Sequence, residues 1–387
     1  MKDFIYSYPT KVYFGEKAAG KALPAELAKI GKTVMLAYGG GSVKRSGVYD
    51  EICGYLKDAG KEIVDFSGIM PNPTYKKVKE GAALAREKGV DFILAVGGGS
   101  VIDCCKIVAA QAVTDQDIWE MEFKDHVYPT DFLPMGAVVT ASGTGAEMNN
   151  GAVITNEDTN EKAGVLGAYA SFAVLDPAYT MSLPAKQVIS GAFDTLSHSM
   201  ETYLGSPRDI TLSDEIAEAV MRNVIRNIRV LLTDMNNWEA RSELMWASAM
   251  AENGILKIGK VTDFQAHQIE HQLGAYTDCN HGQGLAVIHP VLYRHMYKDG
   301  VKQFARMAEK VWEIPAEGKS QEELAKEGIQ ALADFIQEIG LPSTFTEMGI
   351  TDKSVLKKVA DTCNLTAGCC KKLSREEVLE ILEECYR

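Results

Sequence analysis

The sequence DFILAVGGGSVIDCCKIVAA, residues 91–110, contains the pattern from which the fold class follows. An apolar run of strand length leads into a GGGS turn, and a run of helical character follows the turn. Glycine has no Cβ, so backbone N–H groups in such a turn can approach a phosphate closely. The helix that begins at Ser100 would present its positive end to that anion. These residues therefore predict a strand, turn and helix of a nucleotide-binding sheet.

The same pattern occurs once earlier in the chain. The apolar run VMLAY (34–38) leads into a second GGGS turn, and a helical run continues to about Ala59. A strand at EIVDF (62–66) and a helix over 74–88 separate the two glycine turns. Short apolar strands that alternate with helices are typical of a mainly parallel sheet with helices on both faces. The first half of the chain is therefore predicted to be an α/β nucleotide-binding domain.

The remaining strands of this domain are predicted from shorter apolar runs. The opening segment is expected at the sheet margin because Pro9 cannot donate a ladder hydrogen bond. Residues 119–131, rich in charged and aromatic side chains, are expected to form a loop. Strand-like runs follow at MGAVVT (135–140), AVIT near Val153, AGVLG near Val165 and SFAVLDP (171–177).

Three segments are candidates for binding a dinucleotide. Two are the glycine turns, and the third is ASGTGAE, which places small hydroxyl groups beside glycines. The candidate residues are Gly39, Gly40, Gly41, Ser42, Gly97, Gly98, Gly99, Ser100, Thr140, Ser142 and Thr144. An acidic residue after the first strand would hold an adenosine ribose hydroxyl and repel a 2′-phosphate. The first turn has no carboxylate, and Lys44 and Arg45 follow it, so we predict a preference for NADP(H) over NAD(H).

The second half of the chain has the spacing of helices. Beyond about Pro184 the strand pattern disappears and apolar residues recur at helical intervals. Ser374 and Glu377 have the spacing of a capping box, which predicts a helix start. At 387 residues the chain is long enough for two domains. We predict an α/β dinucleotide-binding domain over 1–184 and an all-α metal-binding domain over 185–387.

Polar residues of the helical half have the spacing of metal ligands. Asp194 and His198 stand four apart, as do His267 and His271, and His281 follows in a short polar stretch. Residues four apart project from one face of a helix. One carboxylate with several imidazoles suits Fe(II) or Zn(II) better than magnesium or calcium. A single histidine in a helix is more often an ordinary polar position, so the spacing alone leaves the question open.

Composition excludes some partners. The formal net charge of −13 disfavours binding to nucleic acid or to an anionic membrane surface. The N-terminal residues do not resemble a signal or transit peptide, and no apolar run reaches 18 residues. The eight cysteines are scattered, which favours free thiols in a reducing compartment. We therefore expect a cytoplasmic protein.

Six motifs together resemble the iron-containing (group III) alcohol dehydrogenase family, and within it the NADPH-dependent butanol dehydrogenase type. They are PTKVYFG, GGGSVIDCCK, ASGTGAE, FDTLSHSMET, HQIEHQLG and HGQGLAVIHP, and they span nearly the whole chain. The resemblance implies metal ligation by Asp194, His198, His267 and His281. It implies that His271 lies near the nicotinamide and relays a proton or orients the substrate. Homodimers are common in this family, so a homodimer is expected.

The resemblance also extends the candidate cofactor site. It implies cofactor contacts from Gly97–Ser100 and from Thr140, Ser142 and Thr144. It adds Asp103, in the helix after the second glycine turn, and Lys162. We expect the metal and the cofactor to meet in a cleft between the two domains, which is the usual place for a small-molecule site.

The implied reaction is hydride transfer between NADP(H) and a small primary alcohol or aldehyde such as butanol or butanal. One alternative is a metal- and NAD-dependent enzyme like dehydroquinate synthase or glycerol dehydrogenase. A phosphorylated substrate would require several basic residues near the metal, and residues 267–285 contain no lysine or arginine. The other alternative is a metal- and nucleotide-binding protein without turnover.

Overall fold

A computed structural model describes residues 3–206, 209–366 and 370–387. The strands are β1 (Lys11–Phe14), β2 (Thr33–Tyr38), β3 (Glu62–Phe66), β4 (Phe92–Gly97), β5 (Met135–Val139), β6 (Gly151–Asn156), β7 (Glu161–Leu166) and β8 (Ala170–Leu175). The helices of the first half are α1 (Ala18–Leu27), α2 (Ser42–Arg45), α3 (Val48–Asp58), α4 (Tyr75–Lys88), α5 (Gly99–Gln111) and α6 (Ile118–Phe123). Those of the second half are α7 (Ala185–Tyr203), α8 (Leu212–Thr233), α9 (Trp238–Glu252), α10 (Gln265–Thr277), α11 (His281–Met296), α12 (Val301–Lys310), α13 (Gln321–Glu338), α14 (Ser354–Thr362) and α15 (Arg375–Tyr386).

Six strands form a parallel sheet in the order β1-β8-β5-β4-β2-β3. The predicted α/β class with a mainly parallel sheet followed by helices is confirmed. The chain passes from β2 to β3 at one edge and then returns to the other side of β2 as β4. This reversal makes the carboxyl ends of β2 and β4 a topological switch point, the usual ligand-binding position of such sheets. Both glycine turns follow these two strands.

Both faces of the sheet are buried. Val34, Leu36 and Tyr38 of β2 pack in a core cluster with residues of α1 and α3. Met35 and Ala37 point to the opposite face and are equally buried. Burial on both faces explains why the central strands are continuous apolar runs without alternation.

Three local features differ from the predictions. The predicted helix after the first glycine turn is broken into α2 and α3 at Gly47, which has φ 82°, a conformation that favours glycine. The predicted loop over 119–131 overlaps α6, whose N-cap Asp117 accepts a hydrogen bond from the Glu120 backbone. Strands β6 and β7 pair with each other as a separate antiparallel hairpin. The predicted margin strand is correct, since β1 lies at a sheet edge.

The chain groups into two compact units. The sheet unit is Ser7–Pro184, and the helical unit is Ala185–Arg387 together with the segment that precedes Ser7. In that segment Tyr6 lies beside Gly254 of the helical unit, a contact that the sequence did not predict. The division into domains 1–184 and 185–387 stays a prediction.

The helical unit is organised around α7. This helix lies against α8, α9 and α11, and nearly all of its residues from Val188 onward are buried. The predicted helix start at Ser374 is confirmed, because Ser374 and Glu377 form a capping box at α15. Among the described residues, no helix combines the length and the apolar character needed to cross a bilayer.

Candidate metal and cofactor sites

Helix α7 carries two of the predicted ligands on one face. Asp194 and His198 are separated by about one helical turn, so their side chains project to the same side. Both are buried, and Asp194 is only 3% exposed. A buried carboxylate is costly unless a cation or hydrogen bonds compensate its charge. The position of Asp194 therefore requires positively charged or hydrogen-bonding neighbours.

Helices α10 and α11 bring three histidines to that face. His267 and His271 lie one turn apart on α10. His281 is the first residue of α11, whereas the sequence had suggested a short polar stretch. A Cβ on Gly282 would lie 2.2 Å from the backbone oxygen of Ser190. The missing side chain of Gly282 thus lets the start of α11 lie directly against α7.

Three imidazole nitrogens converge on one oxygen of Asp194. Its Oδ1 atom lies 3.6 Å from Nε2 of His198 and 3.5 Å from Nε2 of His267. The same oxygen lies 3.4 Å from Nε2 of His281. A tetrahedral metal with oxygen and nitrogen ligands at about 2.0–2.1 Å would hold them about 3.3–3.4 Å apart. Donor atoms of Asp194, His267 and His281 also lie within 4.8 Å of one another, and the spacing of these three fits one bound ion.

Two of these donors are buried without hydrogen bonds. Within the described ranges, Oδ1 of Asp194 and Nε2 of His267 have no hydrogen-bond partner. Leaving such atoms unpaired costs about 1–3 kcal/mol each, more for charged groups. One carboxylate oxygen and three imidazole nitrogens are donors that Fe(II) and Zn(II) accept. The residues present therefore fit a divalent ion of this kind.

Carboxylates lie behind the histidines, on the side away from Asp194. Nδ1 of His267 forms a hydrogen bond with Oε2 of Glu201, and Nδ1 of His281 forms one with Oε2 of Glu270. Nδ1 of His198 lies 3.6 Å from Oε1 of Glu252. Each of the three imidazoles thus lies between Asp194 on one side and a glutamate on the other.

The buried charges favour a cation at the convergence point. Burial would raise the pKa of Asp194, but His198, His281 and His267 hold it well below its usual value. Burial would lower the pKa of His267, but Glu201 and Asp194 raise it to about 10. At His198, by contrast, burial outweighs the nearby carboxylates and lowers the pKa. The cluster therefore stabilises positive charge at His267 but not at every imidazole that faces Asp194.

His271 lies beside this cluster. Its ring stacks on that of His281 at 5.4 Å between centroids and meets the ring of His267 edge-on at 5.7 Å. Donor atoms of Glu270, His271 and His281 also lie within 4.8 Å of one another. His271 is buried, and the role that the family resemblance implies for it stays a prediction.

The sequence prediction missed the three glutamates. A signal was present for Glu201, because Asp194, His198 and Glu201 follow the spacing i, i+4 and i+7 on one helical face. Glu270 follows His267 by three residues, which also shares a face. Glu252 lies on α9, and no local spacing connects it to His198.

In the sheet unit, the three candidate cofactor segments lie at one edge. They follow β2, β4 and β5, which are neighbours in the sheet, so Gly39–Ser42, Gly97–Ser100 and 140–144 share the carboxyl edge. The Thr140 backbone N–H donates to Gly97 O at 2.9 Å. Gly98 is the N-cap of α5, whose first turn contains Gly99 and Ser100. The structure therefore brings these eleven predicted residues to the switch point.

Gly99 and Thr144 are in close contact. A Cβ on Gly99 would lie 2.3 Å from Oγ1 and 2.7 Å from Cγ2 of Thr144. Thr144 Oγ1 also accepts a hydrogen bond from the Ala146 backbone at 3.2 Å. The glycine thus serves packing between the two segments as well as backbone access for an anion.

Asp103 and Lys162 are placed differently from the glycine turns. Asp103 lies on α5, and its Oδ2 atom accepts a hydrogen bond from the Val153 backbone at 2.9 Å. Its Oδ1 atom lies 3.5 Å from Nζ of Lys106. Lys162 is a buried residue of β7, opposite Thr155 in the hairpin. Asp103 therefore joins α5 to the hairpin, and the cofactor contacts predicted for Asp103 and Lys162 stay predictions.

The first glycine turn has room at one position. A Cβ on Gly40 would meet no atom within 4 Å, whereas one on Gly39 would lie 3.1 Å from the Ile69 backbone oxygen. A Cβ on Gly41 would lie 2.9 Å from Nη1 of Arg45, so that guanidinium group lies against the turn. Lys44 lies with its Nζ 4.5 Å from the centre of the Tyr49 ring. The turn thus combines an open glycine with two adjacent cations.

Comparisons with known proteins agree with both halves. The family model "Iron-containing alcohol dehydrogenase" matches residues 9–177, and the family model "Fe-containing alcohol dehydrogenase family, C-terminal" matches residues 188–386. The chain is 39% identical to NADH-dependent butanol dehydrogenase A of Clostridium acetobutylicum over 100% of both chains. It is 35% identical to an NADPH-dependent aldehyde reductase of Escherichia coli, over 93% of this chain and 94% of the relative. The crystal structure of NADH-dependent butanol dehydrogenase A from Thermotoga maritima superimposes with a TM-score of 0.94 at 36% identity, covering 100% of this chain and 99% of that one.

Proposed function

Because the chain belongs to the iron-containing alcohol dehydrogenase family, we propose that it interconverts small primary alcohols and aldehydes, such as butanol and butanal, with NADP(H) as cofactor. It is an NAD(P)-dependent alcohol dehydrogenase, and the metal, the substrate and the cofactor preference are the proposed parts. The observation that carries the proposal is the approach of three imidazole nitrogens, two of them on buried histidines, to Oδ1 of Asp194 at 3.4–3.6 Å.

Asp194, His198, His267 and His281 would hold one Fe(II) or Zn(II) ion. When bound, such an ion supplies Lewis acidity toward an alcohol or carbonyl oxygen, and the nicotinamide accepts or donates the hydride. The protein would contribute four ligands, of which Asp194, His198 and His267 are buried, whereas the His281 side chain is 25% exposed. Ligands that the fold fixes in advance need little reorganisation during the reaction.

His271 would transfer the proton that accompanies hydride transfer. Its imidazole lies next to the ring of His281 without belonging to the set that converges on Asp194. Alcohol oxidation releases the hydroxyl proton and aldehyde reduction requires one, so a positioned imidazole serves both directions. A His271→Asn variant should keep the metal and lose most of its turnover near neutral pH.

Small uncharged substrates are supported by two observations. The curated relatives named above are a butanol dehydrogenase and an aldehyde reductase. The stretch 267–285, which contains two of the proposed ligands, has no lysine or arginine to bind a phosphorylated substrate. The direct test is a panel of aldehydes of increasing chain length, with NADPH oxidation followed by its near-ultraviolet absorbance. No turnover with any aldehyde or alcohol, by enzyme with a full complement of metal, would contradict the proposal.

The NADP(H) preference rests on the first glycine turn. It offers no carboxylate to repel a 2′-phosphate, and Arg45 and Lys44 lie at the turn. The names of the relatives include both NADH- and NADPH-dependent enzymes, so the measurement that decides is kcat/KM with each cofactor. We expect the ratio to favour NADPH, and a ratio of one or below would overturn the preference.

A substitution at Gly40 tests the reason for the preference. This position has room for a side chain, so Gly40→Asp places a carboxylate at the turn without a steric clash. The charge should lower the ratio of kcat/KM for NADPH over NADH by at least about tenfold, which corresponds to about 1.4 kcal/mol. Gly40→Asn has nearly the same shape without the charge and should leave the ratio close to that of the wild type. Equal effects of the two variants would mean that charge at this turn does not select the cofactor.

The homodimer and the cytoplasmic location also stay predictions. Light scattering of the purified protein tests the first.

A further inference from the structure

We propose that Glu201 and Glu270 are positioning residues that fix His267 and His281 in the one tautomer able to bind the metal. The inference rests on the metal site proposed above and deepens it. It states that residues outside the ligand set determine which nitrogen of each histidine faces the ion. Neither glutamate converges on Asp194. Both contact the far nitrogen of a histidine that does.

Glu201 holds the start of α10 by two hydrogen bonds. Its Oε1 atom accepts one from the Ala266 backbone at 2.6 Å, and its Oε2 atom contacts Nδ1 of the adjacent His267. The side chain is 3% exposed and belongs to α7, the helix that carries Asp194. One carboxylate therefore fixes both the backbone and the ring of His267 relative to Asp194.

Glu270 contacts the side chain of the first residue of α11. It lies on α10, is 0% exposed, and its Oε2 atom contacts Nδ1 of His281. A Cβ on Gly284 would lie 2.8 Å from Cγ of Glu270, so a glycine is needed there for the glutamate to keep this position. Glu270 thus links the helix of one histidine ligand to the helix of another.

The chemistry of the pair determines the tautomer. An ionised carboxylate has no hydrogen to donate, so Nδ1 of the facing imidazole must carry the hydrogen. In a neutral imidazole the lone pair then lies on Nε2, and for both histidines Nε2 is the atom that faces Asp194. The negative charge also increases the basicity of the ring, which strengthens its bond to a divalent ion. With the opposite tautomer, an N–H group would point at the ion.

The third histidine provides an internal comparison. Nδ1 of His198 lies 3.6 Å from Glu252, beyond the distance of a strong hydrogen bond. Glu252 in turn lies 2.7 Å from Nζ of Lys257, which neutralises much of its charge. The structure therefore predicts an order of importance in which Glu201 and Glu270 exceed Glu252.

The test measures zinc affinity of the whole protein by competition with a chelator at fixed pH. Glu201→Gln and Glu270→Gln keep the shape of the side chain but remove its charge, and they replace a group that can only accept hydrogen bonds by one that can also donate. Each should weaken zinc binding about 10–100-fold. Glu252→Gln should weaken it less than either. Glu218→Gln is the matched control, because Glu218 is also buried but contacts Tyr203 and Arg306. The zinc affinity of this variant should be that of the wild type.

Failures of the two proposals are distinguishable. A wild-type protein that binds no zinc or iron would overturn the metal site itself. A wild-type protein that binds zinc, with unchanged affinity in Glu201→Gln and Glu270→Gln, would overturn only the positioning role. If the substitutions prevent folding, ¹⁵N NMR of the histidines in zinc-loaded wild-type protein still decides. Hydrogen on Nδ1 of His267 and His281 supports the inference, and zinc on either Nδ1 contradicts it.

Discussion

Replacing Gly99 with alanine tests whether the second glycine turn and the 140–144 segment depend on each other. Gly99 begins α5, and the position of its missing Cβ is 2.3 Å from Oγ1 of Thr144. Normal contacts between such atoms exceed about 3 Å, so Thr144 or the turn must move by about 1 Å. Alanine is otherwise acceptable at the start of a helix, so the effect measures the steric conflict alone.

The structure indicates how large the effect should be. Adding a methyl group to a packed site costs about 1–3 kcal/mol. In a domain of 150–250 residues each kcal/mol lowers the midpoint of thermal unfolding by roughly 2–4 °C, so we expect a decrease of about 2–12 °C. Because the turn and Thr144 are both predicted to contact the cofactor, the dissociation constant for NADP(H) should rise as well.

The assay combines thermal unfolding with cofactor titration by fluorescence. Gly40→Ala is the control, since its Cβ would meet no atom within 4 Å, and its stability should change by less than about 0.5 kcal/mol. Thr144→Ala removes the two nearest atoms and should restore part of the stability lost in Gly99→Ala, so the double variant should be non-additive. The reasoning fails if Gly99→Ala unfolds like Gly40→Ala, or if the two substitutions are additive.

Three further predictions follow from the buried charges. Asp194→Asn should lose the metal found by elemental analysis, whereas the control Asp361→Asn, at an exposed position, should keep it. Removing the metal with a chelator should lower the unfolding temperature, because an ion bound only by the folded state at 100 times its dissociation constant stabilises by about 2.7 kcal/mol. Burial raises the pKa of Glu147 to about 7, above its value of 4.5 in the unfolded chain. Its folded form keeps a proton that the unfolded form loses, so its contribution to stability is full below about pH 4.5 and is lost as the pH rises through about 7. As the pH rises from 5 to 8.5, the free energy of unfolding of Glu147→Gln should therefore increase by up to about 3 kcal/mol relative to that of the wild type. Parallel pH profiles of the unfolding temperature for the two proteins would refute this.

Much of the candidate site could be predicted because its elements are local. The spacing of Asp194 and His198, and that of His267 and His271, is set by the helical turn, and the glycine turns follow directly from the ends of apolar strands. The resemblance of the motifs to a known family then grouped the four proposed ligands, which spacing alone could not group. Glu252 could not be found in this way, because it approaches His198 only through the packing of α7 against α9.

The sheet shows the same limit. The runs 34–38 and 91–96 identify strands, but they do not reveal that β8 lies between β1 and β5, or that β6 and β7 leave the main sheet. Strand order depends on which apolar faces pack together after the chain folds. Similarly, the break at Gly47 reflects a single backbone conformation, φ 82°, that the surrounding helical pattern concealed.

The sequence alone predicted the α/β half, the helical half, the glycine turns and the proposed ligand residues, because periodicity and short motifs indicate each of them. Tertiary structure decided the sheet order, the contact of Gly99 with Thr144, and the glutamates behind the histidines. The physical reason is that these contacts join residues far apart in the chain. Their partners are selected by burial and charge compensation in the folded interior, for which a linear pattern contains no signal.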